Sequence, residues 1–526
     1  MVFYKDYKHQ QWLLPPNLED IISDEHICYL LDEVIDSIKF KDVEVMYEGP
    51  GHPAYHPRII IKLLLMGMID GIRSSRKIGK NTKENVVYMF LAGKLSPNFR
   101  TISDFRKNNP ELIELCFKEI VSFAKKLDMI RLGHIMIDGT KIKASASNDK
   151  TLKKDELLFF EELIKNEIQK GIIEDETEDE IYGGDKEGNE LPDDIRLNGH
   201  IKRFIKKKIE EEKINCTNER VMRQIAKAYI KGDEKRKNEI LVKIDDAKKE
   251  MEKSGTDVIS FTDPESRFMK NKKGMKEYSY NAQITVDEEY GIILANDVTQ
   301  KHTDMHQLIP QIEKVEETVG TLPENTEVSA DNGYFDGENL RFLNVKNLAG
   351  YIPDKNATYE LKGKKISKKP FGKDAFEYDW GNDEYICPAG ERVTFRYEFF
   401  EKSTNRQVRM YRGTKCKSCV HNIQCVNKKM GRSRRIRNYG YEKEIRCMNT
   451  KMSLEENKKT YKKRAKTVEC VFGDTKQNMG LREFLTRGIN NVKTEFILAC
   501  TAHNLKRMWY VLTERGINIQ RISSSC

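Results

Sequence analysis

The sequence has a modest apolar content and no long hydrophobic run. Apolar residues make up 38% of the 526 residues, which fills a real core but lies below the usual share for globular domains. The longest apolar run, IIIKLLLMGMIDGI at 59–72, is broken by Lys62 and Asp70 and is too short to span a bilayer. The first residues, MVFYKDYKHQQW, lack the apolar stretch of a signal peptide. We therefore expect a cytoplasmic protein with no membrane segment.

Two common catalytic signatures are also missing. Neither a glycine-rich phosphate loop nor a Ser/His/Asp arrangement is evident, so nucleotide hydrolysis is not supported and no nucleotide cofactor is expected. Eleven cysteines, an odd number without a secretion signal, favour a reducing compartment in which clustered cysteines indicate metal. Lys and Arg (92) exceed Asp and Glu (83) for a net charge of +9. This excess suits a polyanionic partner only where the positive charge is clustered.

Composition and periodicity divide the chain into six predicted segments. In the N-terminal segment, residues 1–132, seven basic residues near helix ends could bind DNA or form a solvated surface: Arg73, Arg76, Lys77, Lys80, Arg100, Arg106 and Lys107. The segments are an all-helical N-terminal DNA-binding domain (1–132), the first strand of a catalytic core (133–147), a charged helical insertion (148–256), the main part of the core (257–353), an insertion with a cysteine cluster and a basic patch (354–450), and C-terminal core helices (451–526).

The core segments show an ordered set of strands and helices. His134–Ile137 predicts a short apolar strand that ends at Asp138, and 278–299 predicts a hairpin. The order that follows from 133 to 353 is strand, strand, strand, helix, strand, helix, strand. This order predicts a mixed α/β sheet of the ribonuclease H kind, flanked by helices and interrupted after its first strand. RGINNVKTEFILACTAHNLKRMWYVLTE predicts a long amphipathic final helix.

Two aspartates follow predicted strands, Asp138 in IDGTK and Asp331 in ADNGY. Each one alone is typical of a turn at a strand end. The predicted topology brings both to the same end of the sheet, where two carboxylates repel unless a cation lies between them. Oxygen ligands select Mg²⁺ or Mn²⁺, and two such ions can activate a water or a 3′-hydroxyl for in-line phosphoryl transfer. A third carboxylate is expected late in the chain on a helix, and Glu469 is the candidate.

Three motifs together resemble the DDE transposases of bacterial insertion sequences. They are IDGTK at 137–141, ADNGY at 330–334 and VECVFGDTKQNMGLREFLTRG at 468–488. The pattern LLPPNLEDIISDEHICYLLDEVID, followed by HPRIIIKLLLMGMIDG and SPNFRTISDFRK, is similar to the helical domain that opens many of these enzymes. The resemblance, to insertion-sequence-1182-like members, spans almost the whole chain in the right order.

The resemblance implies a metal-dependent enzyme with a ribonuclease H-like core. Such an enzyme cuts double-stranded DNA at the terminal inverted repeats of a transposon and joins the freed 3′-hydroxyls to target DNA. Asp138, Asp331 and Glu469 match the catalytic triad of the family, with Mg²⁺ or Mn²⁺ as the implied cofactor. A homodimer on DNA and a bacterial, cytoplasmic location are implied as well.

In this family a Tyr, an Arg and a Lys accompany the Glu on its helix and contact DNA. Tyr461, Arg464 and Lys476 are the matching residues. Lys476 lies seven residues after Glu469, so both face the same way. Arg464 is separated from Glu469 by four residues where the family has three, which turns it away from Glu469 on an uninterrupted helix. Lys462, seven residues before Glu469, is better aligned for a phosphate contact.

Four cysteines form a candidate zinc site in the second insertion. They are Cys387 in CPAG, followed by Cys416-x₂-Cys419-x₅-Cys425, and His421 could replace one ligand. Four thiolates with one tight Cys-x-x-Cys pair suit structural zinc, although a zinc ribbon would offer two cysteines in its first half. The alternative is a set of reduced thiols lining a small subdomain.

A basic patch follows the cysteines directly. Interleaved with Tyr439 and Tyr441, it predicts a segment that lies along a DNA backbone and adds affinity rather than sequence choice. A solvated basic loop is the alternative. The predicted DNA contacts of this patch are Arg432, Arg434, Arg435 and Arg437.

A second group of candidate ligands lies in QKHTDMHQL at 300–308. His302, Asp304 and His306 could indicate metal, but capping of the following helix by Thr303 or Asp304 is the simpler interpretation.

Two other functions remain open at this point. A metal-dependent nuclease of the same fold would cut DNA without rejoining it. A DNA-binding protein descended from a transposase would have lost catalysis. The intact triad argues against the second, because drift has no reason to spare all three acids.

Overall fold

The computed structural model of the protein describes residues 17–40, 55–148, 151–158, 161–162, 165, 234–271, 274–364, 370–402, 406–426 and 433–517. Most of the charged insertion predicted over 148–256, and Arg432 of the basic patch, lie outside the described residues.

The described N-terminal part is helical, as its apolar periodicity predicts. Pro57 and Pro110 stand at the first turns of two helices, where a missing N–H costs no hydrogen bond. The side chains of Asn85 and Asn98 cap two others by accepting from backbone N–H groups at 2.9 and 2.8 Å. The predicted helix pair around Pro110 is confirmed. The helices are α1 (Ile27–Ser37), α2 (Pro57–Ile69), α3 (Ser75–Glu84), α4 (Val86–Leu91), α5 (Phe99–Asn108) and α6 (Pro110–Lys126).

The described strands form three sheets. The predicted hairpin and the two later core strands are confirmed. The strands are β1 (His134–Lys143), β2 (Thr151–Lys153), β3 (Val258–Ser260), β4 (Arg267–Lys270), β5 (Lys276–Asp287), β6 (Ile293–Thr299), β7 (Glu327–Ala330), β8 (Ala349–Tyr351), β9 (Glu377–Asp379), β10 (Glu384–Ile386), β11 (Arg392–Glu401), β12 (Arg406–Gly413) and β13 (Arg435–Asn438).

The later helices pack on these strands or continue the chain after them. They are α7 (Glu234–Ser254), α8 (Leu308–Val319), α9 (Gly337–Val345), α10 (Lys355–Leu361), α11 (Asn422–Cys425), α12 (Glu442–Ser453), α13 (Glu455–Gln477) and α14 (Ile489–Glu514). The helix predicted to resume near 453 is preceded by α12, which begins inside the segment predicted to be loop-rich and strand-prone.

The main sheet is mixed. β1 lies between β5, which is antiparallel to it, and β7, which is parallel to it, and β8 continues the sheet in parallel with β7. β4 and β6 pair with different parts of the other edge of β5, both antiparallel. α8 packs on β5 and β6, α13 on β1, β7 and β8, and α14 on β6. The molecule is therefore a mixed α/β protein with helices against its main sheet.

The final helix α14 is buried on most of its surface, so the prediction of an amphipathic helix is wrong. It contacts β6 of the sheet and also α2, α5 and α6 of the N-terminal part. Its buried residues run from Val492 to Leu512 without a consistent solvent face. As a result, one continuous hydrophobic core contains both the N-terminal helices and the main sheet.

Two smaller sheets lie outside this core. β2, near the start of the charged insertion, pairs antiparallel with β3, which follows its end, so the two ends of that insertion lie close together. β9 to β13 form a five-stranded antiparallel sheet, the second sheet, in the order β13-β12-β11-β10-β9. Its buried cluster is separate from the main core. The strand-prone character predicted for 354–450 is confirmed.

Candidate active site

Asp138 and Asp331, the aspartate pair, lie on neighbouring strands. Ile137 of β1 pairs with Ala330 of β7 in parallel register, so the two aspartates are the next residues along their chains. The prediction that Asp138 ends its strand is wrong, because β1 continues to Lys143 by pairing with β5. The parallel pairing between β1 and β7 ends just before Asp138, and the two strands diverge from that point.

Asp331 caps a tight turn while it stays beside β1. Its Oδ1 accepts a hydrogen bond from the Gly333 N–H at 2.8 Å, at the start of the 3₁₀ turn Asn332–Tyr334. A Cβ added to Gly333 would stand 2.9 Å from the same oxygen. A side chain at that position would therefore push on the carboxylate. Asp331 is both a turn residue and a neighbour of Asp138.

Arg464 of α13 forms an ion pair with Asp138. The distance from Nη2 to Oδ1 is 2.6 Å, Nε donates to the Ile137 carbonyl at 3.4 Å, and both ion-pair partners are only 8% exposed. Burial lowers the pKa of the guanidinium, but the charges of Asp138, Tyr461 and Asp331 outweigh that effect and raise the pKa overall. Removal of either partner would leave a buried charge without compensation.

The face of α13 that packs on the sheet does not include Glu469. Arg464, Val468 and Thr475 are buried on that face at spacings of four and seven residues. Glu469 follows the buried Arg464 by five residues, and residues five apart on a helix point about 140° away from each other. Glu469 is accordingly exposed. Within the described parts of the chain, no hydrogen bond or ion pair joins Glu469 to the aspartate pair. Its catalytic role stays a prediction.

The other helix residues predicted to contact DNA occupy different environments. Burial raises the pKa of Tyr461. The positive charge of Arg464 opposes this rise, and the negative charges of the aspartate pair add to it. Tyr461 therefore lies close to Arg464, Asp138 and Asp331. Lys476 donates to the hydroxyl of Thr140, which follows Asp138 by two residues on the same face of β1. Lys462 is exposed to solvent. DNA contact by these residues stays a prediction.

A buried polar network lies next to the aspartate pair, and Asp304 is its one member that the sequence analysis considered, as a possible metal ligand or a helix cap. The Tyr334 hydroxyl donates to Oε1 of Gln283, whose Nε2 donates to Oδ1 of Asp304 at 2.8 Å. The same oxygen accepts from Asn281 Nδ2 at 2.6 Å and from Lys141 Nζ at 3.3 Å. A sequence signal exists, because polar residues alternate within YSYNAQITV of β5 and buried polar groups need partners.

Asp304 lies against the backbone that follows each aspartate. A Cβ on Gly139 would stand 2.7 Å from its Oδ1, and one on Gly333 would stand 3.4 Å from its Oδ2. The prediction that Thr303 or Asp304 caps the next helix is wrong, because the N-cap of α8 is Gln307 and no side chain caps it. The Asp304 side chain instead joins β1 and β5.

The described residues fit a divalent cation only in part. Two carboxylates stand on neighbouring strands in the aspartate pair, but Arg464 already binds Asp138, and Glu469 is exposed without a described contact to either acid. Burial lowers the pKa of Lys141, while Asp304 and the aspartate pair oppose this, so a second cation also faces the acids. Among the described residues, no three His, Cys, Asp or Glu side chains form a group that could hold a metal ion.

The four predicted zinc ligands Cys387, Cys416, Cys419 and Cys425 line one small cavity at the second sheet, together with His421.

The described arginines of the basic patch divide between two environments. Arg434 faces inward, since it donates to the Cys425 carbonyl at 3.1 Å and lies 5.2 Å from the centre of the Phe376 ring. Arg435 and Arg437 are on the exposed face of β13, and Arg437 pairs with Glu401. Only this exposed face is arranged to meet a partner.

The N-terminal basic residues divide in the same way. Arg73 donates to Glu495 of α14 at 2.9 Å and to the Glu483 carbonyl at 2.7 Å. Burial lowers the pKa of Arg106, and the negative charge of Glu495 opposes this lowering. The Arg106 side chain therefore also faces the interior. Arg76 lies 4.5 Å from the centre of the Phe99 ring. Arg73 and Arg106 therefore tie the helices to the core rather than offering charge to DNA.

No helix in the described part of the chain is long and apolar enough to cross a membrane.

Comparison with known proteins identifies two segments of the chain. Residues 386–509 match the family described as Transposase DDE domain, and residues 16–108 match the family described as Transposase domain (DUF772). The first segment contains Glu469, whereas Asp138 and Asp331 lie outside both. No curated protein and no solved structure matches the chain. The insertion-sequence-1182-like subfamily stays a prediction, but the predicted family is confirmed: this chain carries an N-terminal transposase domain and a transposase DDE domain.

Proposed function

We propose that this protein is a DNA transposase that cuts at transposon ends and transfers the freed 3′-hydroxyls into target DNA. The observation that carries the proposal is the side-by-side position of Asp138 and Asp331, directly after the last paired residues of β1 and β7, in a chain with two transposase domains. The sheet order β5-β1-β7-β8, with β6 on the outer edge of β5, supports a ribonuclease H-like core.

DDE transposases generally use divalent metals, so Mg²⁺ or Mn²⁺ belongs to this proposal, with Asp138, Asp331 and Glu469 as its ligands. Oxygen ligands of this type suit such ions. Arg464 already binds Oδ1 of Asp138, so a cation held by this carboxylate would have to share it with the guanidinium.

The DNA partner is proposed from exposed positive charge. Arg435 and Arg437 on β13 and Lys462 on α13 are exposed, and the N-terminal helices would hold the terminal inverted repeats in a homodimer. Contacts of this kind go to phosphates, so binding should weaken steeply with salt. Replacement of Arg435 by Ala should lower affinity for all sequences to a similar degree.

Asp331→Ala tests the enzyme against a non-catalytic DNA-binding protein. The full chain is incubated with DNA carrying the element's own terminal repeats and a divalent metal, and cleavage and end binding are measured separately. We expect cleavage to be lost and end binding to be retained. Asn332→Ala in the same turn is the matched control and should cleave normally. Unchanged cleavage by Asp331→Ala would overturn the proposal.

Glu469→Gln tests the third acid. Because Glu469 is exposed, this change should leave folding intact and yet abolish cleavage if the residue belongs to the triad. Glu456→Gln, an exposed change on the same helix, should have no effect. Retained cleavage in Glu469→Gln would remove this residue from the site. Strand transfer with pre-cut ends then separates a transposase from a plain nuclease.

A further inference from the structure

The second sheet has a small core of its own. Its buried cluster consists of Phe376, Tyr385, Val393, Tyr411 and Ile436, for a sheet of five strands. Cores of this size rarely stabilise a unit alone, and natural proteins reinforce them with disulfides or a structural metal. No disulfide links the described cysteines of this sheet. A different reinforcement is therefore expected.

Four cysteines meet beside this core. Cys387 follows β10, Cys416 begins a 3₁₀ turn after β12, Cys419 follows that turn, and Cys425 ends α11. The antiparallel pairing of β10, β11 and β12 brings the first of them to the other three. All four line one small cavity of about 30 Å³.

Two backbone N–H groups are directed at sulfur atoms of this group. The backbone N–H of Glu391 donates to Sγ of Cys387 at 3.3 Å, and that of Arg434 donates to Sγ of Cys416 at 3.4 Å.

We propose that this cavity binds one Zn²⁺ through Cys387, Cys416, Cys419 and Cys425, as a structural site that holds the second sheet together. Four thiolates with one Cys-x-x-Cys pair are a usual donor set for such a site. In the structure the four cysteines line this one cavity, but no three of the described candidate ligands are gathered closely enough to hold a metal ion. The proposal therefore includes a closing of the four sulfurs on the ion when it binds. The thiol protons are released to solvent on binding.

His421 lines the same cavity but is not assigned as a ligand. Its ring stacks with Phe371 at 5.1 Å between centres. The sequence left a cysteine and histidine mixture open, and this contact favours the four-cysteine set. The zinc proposal stands independently of the transposase proposal, because it concerns the second sheet and not the aspartate pair.

The first test is the metal content of the full chain, purified without chelator and measured by elemental analysis. We expect one zinc per chain in the wild type and a loss of at least tenfold in Cys416→Ser and Cys387→Ser. Cys447→Ser and Cys470→Ser change exposed cysteines outside the cavity and serve as matched controls that keep the metal. Full zinc content in Cys416→Ser would overturn the proposal, as would a wild type with no zinc.

The second test avoids variants that fail to fold. Chelator removes the metal from the wild type, and the thermal transition is followed with and without added Zn²⁺. The metal-free chain should melt at lower temperature, and Zn²⁺ should restore the transition. Substitution with Co²⁺ should give the intense near-ultraviolet absorption of thiolate coordination, and Cys470→Ser should leave it unchanged. Unchanged melting after complete removal, or a thiol count showing disulfides among the four cysteines, would contradict the site.

Discussion

Arg464 and Glu469 differ in their surroundings although they stand on one helix. The sequence places four residues between them, and the helical repeat turns them about 140° apart. Arg464 is buried against Asp138, while Glu469 is exposed. The family resemblance supplied the identity of both residues, but the face of α13 that packs on the sheet decided their environments.

Tyr334 has a role that its neighbours in the sequence do not indicate. Its hydroxyl donates to the buried Gln283, so Tyr334→Phe leaves that acceptor unsatisfied. We expect a loss of roughly 1–3 kcal/mol in unfolding free energy, measured by denaturant titration. Cleavage should also fall, because this contact joins the turn of Asp331 to β5. Tyr510→Phe at an exposed ring should change neither, and an unaffected Tyr334→Phe would contradict the role.

Asp263 predicts a pH dependence of stability. Burial raises its pKa from 3.8 to about 6, and its Oδ2 has no hydrogen-bond partner. The folded state therefore binds a proton more tightly than the unfolded state. The stabilisation is complete below about pH 4 and is lost as the pH rises through about 6, by roughly 3 kcal/mol in total.

Asp263→Asn should remove that part of the pH dependence. The side chain then stays neutral, so the unfolding free energy between about pH 4 and pH 7 should fall less in the variant than in the wild type. Asp257→Asn changes an exposed carboxylate nearby and should parallel the wild type. Parallel curves for Asp263→Asn and the wild type would refute the assignment.

At the scale of elements, two glycines in helices have opposite surroundings. A Cβ on Gly337, at the start of α9, would stand 2.2 Å from Cβ of Tyr441, whereas a Cβ on Gly473 within α13 would meet no atom within 4 Å. Gly337→Ala should therefore cost about 1–3 kcal/mol through overpacking. Gly473→Ala should gain about 0.5–1 kcal/mol through helix propensity. The two variants serve as controls for each other when thermal unfolding is measured. Equal shifts in their melting temperatures would contradict the close packing of α9 against Tyr441.

The final helix shows how neighbours change the meaning of a pattern. Its sequence predicts a helix correctly, yet α14 is covered by β6 on one side and by α2 and α6 on others. Periodicity reports the local conformation, whereas the number of covered faces depends on what the fold brings against the helix.

At the scale of the whole molecule, a buried charge joins the N-terminal helices to the core. Glu495 is fully buried and accepts from Arg73 at 2.9 Å and from Thr486 Oγ1 at 2.7 Å. Glu495→Ala would remove the carboxylate that balances the charge of Arg73, so we expect the free energy of unfolding to fall by about 3–5 kcal/mol in denaturant titration. Glu84→Ala, which breaks an exposed pair with Lys80, should cost less than about 1 kcal/mol. A loss in Glu495→Ala as small as in this control would show that the two parts are not coupled here.

Much of the fold and part of the candidate site could be predicted from the sequence. Local periodicity and turn chemistry gave the helices around Pro110, the hairpin before Thr299 and the strand before Asp331. The parallel neighbourhood of Asp138 and Asp331 followed from the order of elements. The alternating polar residues of β5 signal that buried partners exist, but the partners of Asp304 could not be named from the sequence, because they lie on different strands and only strand pairing brings them together.

The transposase motifs, the order of the core strands and helices, and the grouping of the four cysteines could all be predicted from the chain, because motifs and periodicity are properties of neighbouring residues. The pairing of Arg464 with Asp138 and of Arg73 with Glu495 could not, and it is known only from the folded molecule. These outcomes depend on which faces pack together, since residues far apart in the chain meet only when strands pair and buried charges find partners.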